Sequence, residues 1–586
     1  MFFKSPRPYI VILALCVLGL LLYARALWYP FVHDDLVFIQ LNPYIARWDN
    51  ILDVFFRPGL AVVQDQMRYY RPLLEVIYRL EYLVFGMEPW GFHLVNILLH
   101  GVAAGLVYLL ARQLRCAKGA AVFISILFLV HPVQSEAVTC VAGISNLAVA
   151  VLMLGALVLH ITGRRQGKCF YWPALLMAGA ACFVKEQALV LVALVGLYEV
   201  LFRRGTWGSR VRVLAPFLMI SGLFLAWRIF LFPGFGANVF VGGYESRLRL
   251  LAIPRIIVTD LGLVFWPAGL HYYRSIDILA PYALAWIVLA ALTGLVVIWF
   301  RRITPAQRRL GLFGLGFSFF TFLPALNIFP LINEYSNIMA AEHFIYLSLA
   351  GFLLMMTALL AGIFRRFRCA WLVAACFSVI IIFAFMTVRQ SAFWRSETVL
   401  FERTLAFEPQ LGRVHLLLGR AYGRDRRFSD AIWQHTAALR ILENYVKRTP
   451  VMMPAHRFYE IFVKEAHDER GAFRMVSGDL HGAIEDYKIA VSMAHNGLRS
   501  SVFGGNDSAS ANNLGMLLLQ TGDRLEAREM FRQALKWDRH FAPVMNNLGM
   551  MALQHGDRVS ARFWFRRALK TAPGFTQARD NYNKAK

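Results

Sequence analysis

Two aspartates stand side by side in FVHDD, residues 31–35, behind His33 and just after a long apolar run. Ionisable groups beside lipid are costly and are kept there for function or for pairing. A carboxylate so placed, Asp34 or Asp35, can take a proton from a hydroxyl. Similar groups recur at the ends of other apolar runs: Arg71 in YYRPL, His131 and Glu136 in HPVQSE, Lys185 and Glu186 in VKEQ, Glu342 and His343 in AEHF. Arginine and lysine offset charge on a phosphate leaving group, so this set suits chemistry on a phosphate-bearing lipid. The same groups would equally serve a transporter that binds such a lipid without breaking a bond. Residue types alone leave both open, and either use requires that all these groups face one side of a membrane.

The elements that must position them are membrane spans. Of the 586 residues, 58% are hydrophobic and only 17% charged, against about 25% charged in a soluble domain. The formal net charge of +25 sits largely in short loops between apolar runs: Arg112/Arg115/Lys118, Arg164/Arg165/Lys168, Arg203/Arg204/Arg210/Arg212, Arg301/Arg302/Arg308/Arg309 and Arg365/Arg366/Arg368, none with an acid. Basic loops of this kind mark the cytoplasmic side, so the charge is a topology signal and nucleic acid is not an expected partner. The seven cysteines have no metal-ligand spacing and none lies beyond Cys376, which speaks against a zinc site or a disulfide framework.

Apolar runs able to cross fall near 9–29, 93–111, 119–138, 140–161, 170–184, 187–202, 213–232, 279–300, 310–331, 343–364 and 369–388, which predicts eleven spans. The first exceeds the about 7–15 residues of a signal-peptide core and reads as a retained span. A further run, 251–270, would place the arginines at 301–309 outside if it crossed, so it reads as interfacial or re-entrant. On this map the first outward loop (30–92), the segments around 131–136, 185–187, 233–278 and 332–343, and everything after 389 face away from the cytoplasm.

Beyond residue 390 the chain turns polar and begins to repeat. NNLGMLLLQTGDRLEAREMFRQAL (512–535) returns as NNLGMMALQHGDRVSARFWFRRAL (546–569), 34 residues later, and weaker copies lie at 418–439 and 477–491. This is the tetratricopeptide pattern, whose small Gly and Ala let paired helices approach. It predicts an α-solenoid of about four repeats whose concave face takes an extended peptide or partner protein. The fold class is therefore all-α: a polytopic membrane region at 1–389, a linker at 390–410, and a repeat domain at 411–586.

FVHDD (31–35), YYRPLLEVIYRLEYLVFGMEPWGFHLVNILLH (69–100), HPVQSEAV (131–138), VKEQALVLV (184–192), LPALNIFP with AEHFIYLSLAGF (323–352) and WRSETVLF (394–401) resemble the transmembrane and tetratricopeptide-repeat-containing family of protein O-mannosyltransferases, within the GT-C glycosyltransferases. The resemblance implies inverting transfer of mannose from a polyprenyl-phosphate donor to a hydroxyl, usually a protein Ser or Thr. It makes Asp34 the base, with Asp35 its alternate, and assigns the donor phosphate to Arg71, Lys185 and His343. His33, His131, Glu136, Glu186 and Glu342 become supporting residues. A divalent metal, Mg or Mn, would fall to Asp35 and Glu186. The expected partners are the lipid donor, membrane lipid and an acceptor polypeptide held by the repeats; a glycan-lipid flippase or a membrane-anchored scaffold is the alternative function. The chain departs from the family at Gly143-Ile144-Ser145-Asn146, where the family carries Gly-Arg-x-acid, and at His343 and Ser348, where it carries Arg and Pro. The repeat region is short for the family, which favours a bacterial inner membrane facing the periplasm over an endoplasmic reticulum membrane facing the lumen.

The topology is directly testable. A reporter fused after residue 309 is expected in the cytoplasm, and one fused after residue 586 on the opposite side.

Overall fold

Apolar runs of about twenty residues become helices in lipid because a helix satisfies its own backbone hydrogen bonds. A computed structural model describes residues 8–49, 51–56, 70–166, 170–231, 243–276, 282–326, 338–366, 370–449, 451, 454–498 and 507–586. The chain divides into two compact units, Met1–Phe407 and Glu408–Lys586.

The first unit is a helical bundle of a multi-pass membrane protein. Among the described residues, six helices are long and apolar enough to cross a membrane: Pro89–Gln113, Val141–Gln166, Trp207–Leu231, Ala283–Arg302, Pro305–Leu326 and Trp371–Trp394. The bent pair Lys118–Val130 and Pro132–Thr139 is long and apolar enough to make a seventh when taken as one broken span, and shorter apolar helices occupy Pro8–Leu22, Tyr171–Val184 and Ser348–Ala361. Burial separates centre from rim. The apolar window of Val141–Gln166 is 83% buried, whereas those of Ala283–Arg302 and Trp371–Trp394 are 6% buried, leaving their side chains to lipid. Close crossing uses small residues: a Cβ on Gly314 would sit 2.6 Å from the Gly351 carbonyl oxygen and 2.5 Å from the Met355 nitrogen.

The expected spans differ from the observed helices mainly at their outer ends. The first helix stops at Leu22 and gives way to a 3-10 turn, Ala24–Trp28. The 119–138 run is interrupted at His131 by a 49° bend, because Pro132 cannot donate to the helix before it. Lys185, extended at φ −159° and ψ 140°, separates Tyr171–Val184 from the 3-10 segment Glu186–Val190. Another 3-10 turn, Glu342–Ile345, precedes Ser348–Arg366. Non-helical backbone at membrane depth is tolerated only inside protein or along a cavity, and these breaks carry the polar residues singled out above.

The ambiguous 251–270 run lies on the helix Gly243–Phe265 up to residue 265 and is non-helical beyond it, with Pro254 inside the helix and Arg249 and Asp260 buried; that helix is not among those long and apolar enough to cross. A two-residue antiparallel pairing, Ser275–Ile276 with Ile338–Met339, ties the two outer loops that follow. Within residues 390–410, read above as a linker, Glu397–Phe407 is instead a helix of the first unit, because Leu400, Phe401 and Thr404 are buried against it. Residues 57–69 of the first outward loop and 332–337 of the NEYSN segment lie outside the described residues.

The second unit consists of helical hairpins: Gly412–Arg424 with Phe428–Arg448, Pro454–Ser477 with Leu480–His495, Asp507–Gln520 with Arg524–Trp537, and Ala542–Gln554 with Arg558–Thr571, closed by Thr576–Lys584. In the three later hairpins a Gly-Asp pair makes the turn. Gly478, Gly522 and Gly556 have positive φ, and Asp479, Asp523 and Asp557 cap the next helix. Amides bridge successive repeats: Asn581 donates to Asn546 at 2.9 Å, Asn547 to Asn512 at 2.7 Å, and Asn513 to the Tyr487 hydroxyl at 3.1 Å. A Cβ on Gly515 would lie 2.7 Å from the Phe531 ring. Gly515→Val is therefore expected to lower the stability of the repeats by about 1–3 kcal/mol through overpacking, read as earlier urea-induced protease sensitivity, with part recovered in Gly515→Val/Phe531→Leu.

Candidate functional site

The adjacent aspartates have different surroundings. Asp35 is fully buried. One carboxylate oxygen accepts the Ala142 N–H at 2.7 Å and the Cys140 thiol at 3.4 Å, and the other accepts the Val32 N–H at 3.1 Å. Burial pushes its carboxyl up to about 7 against the pull of these donors. Asp35 thus fastens the first outward loop to the turn at 140–143. Asp34 points the other way. Its side chain is 49% exposed and meets His33 Nε2 at 3.3 Å, leaving it accessible to an incoming hydroxyl.

A group of cations forms where the helix Pro72–Phe85 begins and the helix Tyr171–Val184 ends. Arg71 donates to Glu186 Oε2 at 3.1 Å from Nη2 and 3.3 Å from Nε, and Arg228 donates to Glu186 Oε1 at 2.9 Å. Burial alone would raise the Glu186 carboxyl, but Arg71 and then Arg228 hold it at about 2. Lys185 turns aside and donates to the amide oxygen of Asn146 at 2.5 Å. Arg71 and Arg228 thus share one carboxylate, and Lys185 beside them donates to a neutral amide. Burial, then the Arg71 charge, push the Lys185 ammonium down to about 7.

The remaining predicted residues form a second network. Glu136 accepts the His343 N–H at 3.0 Å through one oxygen and faces His343 Nδ1 at 2.8 Å through the other. Glu342 is buried and accepts the His271 N–H at 2.7 Å, with Arg274 3.9 Å away. Burial, with the Glu136 charge nearby, raises its carboxyl well above the ordinary range. Mutual electrostatic influence links Glu136 to Lys185 and to Glu342, so both networks occupy one region of the first unit. His131 is a structural cap: Nδ1 accepts the Val133 N–H at 3.3 Å, which leaves Nε2 to donate to the Val264 carbonyl at 3.0 Å.

The surroundings of Asp35 and Glu186 do not suit a metal. A hard cation needs free carboxylate oxygens, whereas those of Asp35 face N–H and S–H donors and those of Glu186 face guanidinium groups. Among the described residues, no group of three or more His, Cys, Asp or Glu could hold a metal ion.

Sequence reasoning did not single out Arg228, Arg274, Asn146 or Glu397 as site residues. Arg228 was hidden in the 213–232 run, where an isolated arginine in an apolar segment was itself the signal. Asn146 was noted only as the place where the acid of the resembled family is missing.

The tetratricopeptide repeat family model matches residues 509–541. The chain is 26% identical over 454 residues to the Caenorhabditis elegans protein O-mannosyl-transferase F38B6.6, covering 74% of this chain and 63% of that one. It is 31% identical over 229 residues to Xenopus laevis protein O-mannosyl-transferase tmtc2, covering 36% of this chain and 27% of that one. The chain thus spans less than two thirds of the length of these relatives. Among solved structures, ArnT from Cupriavidus metallidurans bound to undecaprenyl phosphate aligns with 92% of this chain and 80% of its own at 13% identity and a TM-score of 0.32.

Lys185, hydrogen-bonded to a neutral amide, gives a prediction for anion binding. A charged ammonium is needed to hold an anion, so the affinity for a lipid-phosphate ligand is expected to fall as pH rises through about 7. Asn146→Asp places an opposite charge beside it. This should move that fall upward by about 1–3 pH units while weakening binding at neutral pH, both measurable by titrating polyprenyl phosphate at several pH values.

Proposed function

We infer that this chain, a sequence relative of the protein O-mannosyl-transferases in which a multi-pass membrane bundle precedes tetratricopeptide repeats, is a membrane glycosyltransferase of the inverting type. It moves a sugar, mannose on this reading, from a polyprenyl-phosphate donor to a hydroxyl of an acceptor polypeptide on the non-cytoplasmic side. The observation that supports this reading is the gathering of Lys185, Arg71 and Arg228 around Glu186 in the same unit as a half-exposed aspartate, Asp34.

Buried like charges repel unless an anion joins them, and a lipid phosphodiester supplies that anion. Lys185, tied only to an amide, takes the phosphate most directly, and Arg71 and Arg228 add field from their places on Glu186. Asp34 accepts the proton of the acceptor hydroxyl as its oxygen bonds to the anomeric carbon. The bond from that carbon to the phosphate oxygen breaks on the opposite face, and the electron pair leaves with polyprenyl phosphate, which gains one negative charge. Cations already in place stabilise that charge without reorganising. A phosphate is a good enough leaving group that no general acid is required. The repeats hold the acceptor polypeptide.

Membranes supplied with labelled polyprenyl-phosphate sugars provide the test. Asp34→Asn is expected to insert normally and lose about 10²–10⁴-fold in transfer rate, with little change in donor KM, whereas Lys185→Ala raises donor KM. Full transfer by Asp34→Asn would overturn the assignment of the base. A carrier or scaffold would label no acceptor in any variant.

A further inference from the structure

The WRSETVLF segment at 394–401 has no part in the chemistry above, yet it reaches the base. Glu397 lies in the first turn of the helix Glu397–Phe407, and its Oε1 accepts the backbone N–H of His33 at 3.1 Å, across 364 residues of sequence. His33 has φ +53°, a left-handed backbone that a side-chain-bearing residue adopts at a cost and that persists only when its surroundings enforce it. The same helix presses on the His33 ring. Phe401, fully buried, meets it edge to face at 5.6 Å, and Tyr272 does so at 5.1 Å from the other outer loop. Tyr273, beside it, is also left-handed at φ +57°, with its ring 6.1 Å from His33. Two of the four non-glycine residues with positive φ among the described residues therefore face each other here. In this enforced conformation His33 Nε2 reaches Asp34 at 3.3 Å.

We propose that Glu397 is a positioning residue: by accepting the His33 N–H it holds His33 in its left-handed conformation, from which the imidazole fixes the direction of the Asp34 carboxylate. Asp35 anchors the loop on the 140–143 side, and Glu397 anchors it on the opposite side, one residue before Asp34. With both anchors, Asp34 keeps one orientation although its own side chain is half exposed. Without Glu397, His33 relaxes towards ordinary backbone angles, its Nε2 leaves Asp34, and the carboxylate samples directions that do not meet the acceptor hydroxyl. Misplacement of a reacting group by about 1 Å costs on the order of 10²-fold in rate.

The inference rests on Asp34 being the base, so the test pairs a kinetic measurement with one independent of catalysis. The full-length protein in lipid nanodiscs is compared as wild type, Glu397→Ala, Glu397→Gln and Asp34→Asn. Hydrogen exchange at the His33 amide should rise at least about tenfold in Glu397→Ala and stay near wild type in Glu397→Gln, whose amide oxygen still accepts. In sugar transfer from labelled polyprenyl phosphates, Glu397→Ala should lose about 10- to 100-fold in kcat at unchanged donor KM, and Glu397→Gln should recover most of it. Unchanged exchange in Glu397→Ala, wild-type kcat in that variant, or an equal loss in Glu397→Gln would each overturn the proposal. Full activity in Asp34→Asn would instead overturn the base assignment, and the exchange data would still report whether Glu397 holds His33.

Discussion

The loop that carries the two aspartates is fastened to the membrane unit by the burial of one carboxylate. Asp35 has no exposure and spends its oxygens on two backbone N–H groups and a thiol. A buried acid is costly unless hydrogen-bonded, so the loop can lie here only while the turn at 140–143 presents Ala142 and Cys140. That turn exists because the apolar run from Lys118 is broken at His131 and resumes after Cys140. His131 itself is occupied in closing the break. A break in one span and an aspartate in the loop after another are thus a single device, and it settles which of the two aspartates is left accessible.

The same accounting by partner explains the cations. An arginine with a carboxylate is close to electrically satisfied, and Arg71 and Arg228 share Glu186. Lys185 has an amide instead, which accepts its hydrogen bond without cancelling its charge. In a site shielded from water such a residual charge acts strongly, and its natural complement is a mobile anion. Glu186 and Glu136 favour the charged ammonium through their fields, while the oxygens of Glu136 face His343.

Much of this was legible in the sequence. Apolar runs gave helices close to where expected, since a twenty-residue run has one stable form in lipid, and the 34-residue repeat gave the later hairpins directly. The first two hairpins were harder to read because the ring that packs on the repeat glycine is not phenylalanine. His435 approaches the site of a Cβ on Gly419 at 2.4 Å, and Tyr487 approaches that on Gly471 at 3.3 Å. Those polar rings bring partners with them: His435 Nε2 lies 2.9 Å from Glu469, which also takes Arg420 at 2.7 Å. Segment ends were the unreadable part. His131 and Lys185 end helices through backbone geometry and tertiary contacts, and Glu397–Phe407 is a helix because Leu400 and Phe401 find a buried surface, which composition at 390–410 does not disclose. The candidate residues were found by type, but their roles were not. Asp34 and Asp35 are identical in kind, and only Ala142 and Cys140, more than a hundred residues away, tell them apart.

That separation follows from backbone handedness as much as from charge. Between Val32, whose N–H binds Asp35, and Asp34, the chain passes through one left-handed residue. The left-handed backbone at His33 lies between the residue that binds the buried carboxylate and the one that carries the exposed carboxylate. Two close carboxylates in similar surroundings resist simultaneous ionisation, and one becomes a poor base. With Asp35 buried against backbone N–H groups and Asp34 half exposed beside an imidazole, the pair divides into an anchor and an accessible carboxylate. One base is all that displacement of a phosphate requires, so under the proposed function the adjacent pair would act as one base, Asp34, and its fastening, Asp35.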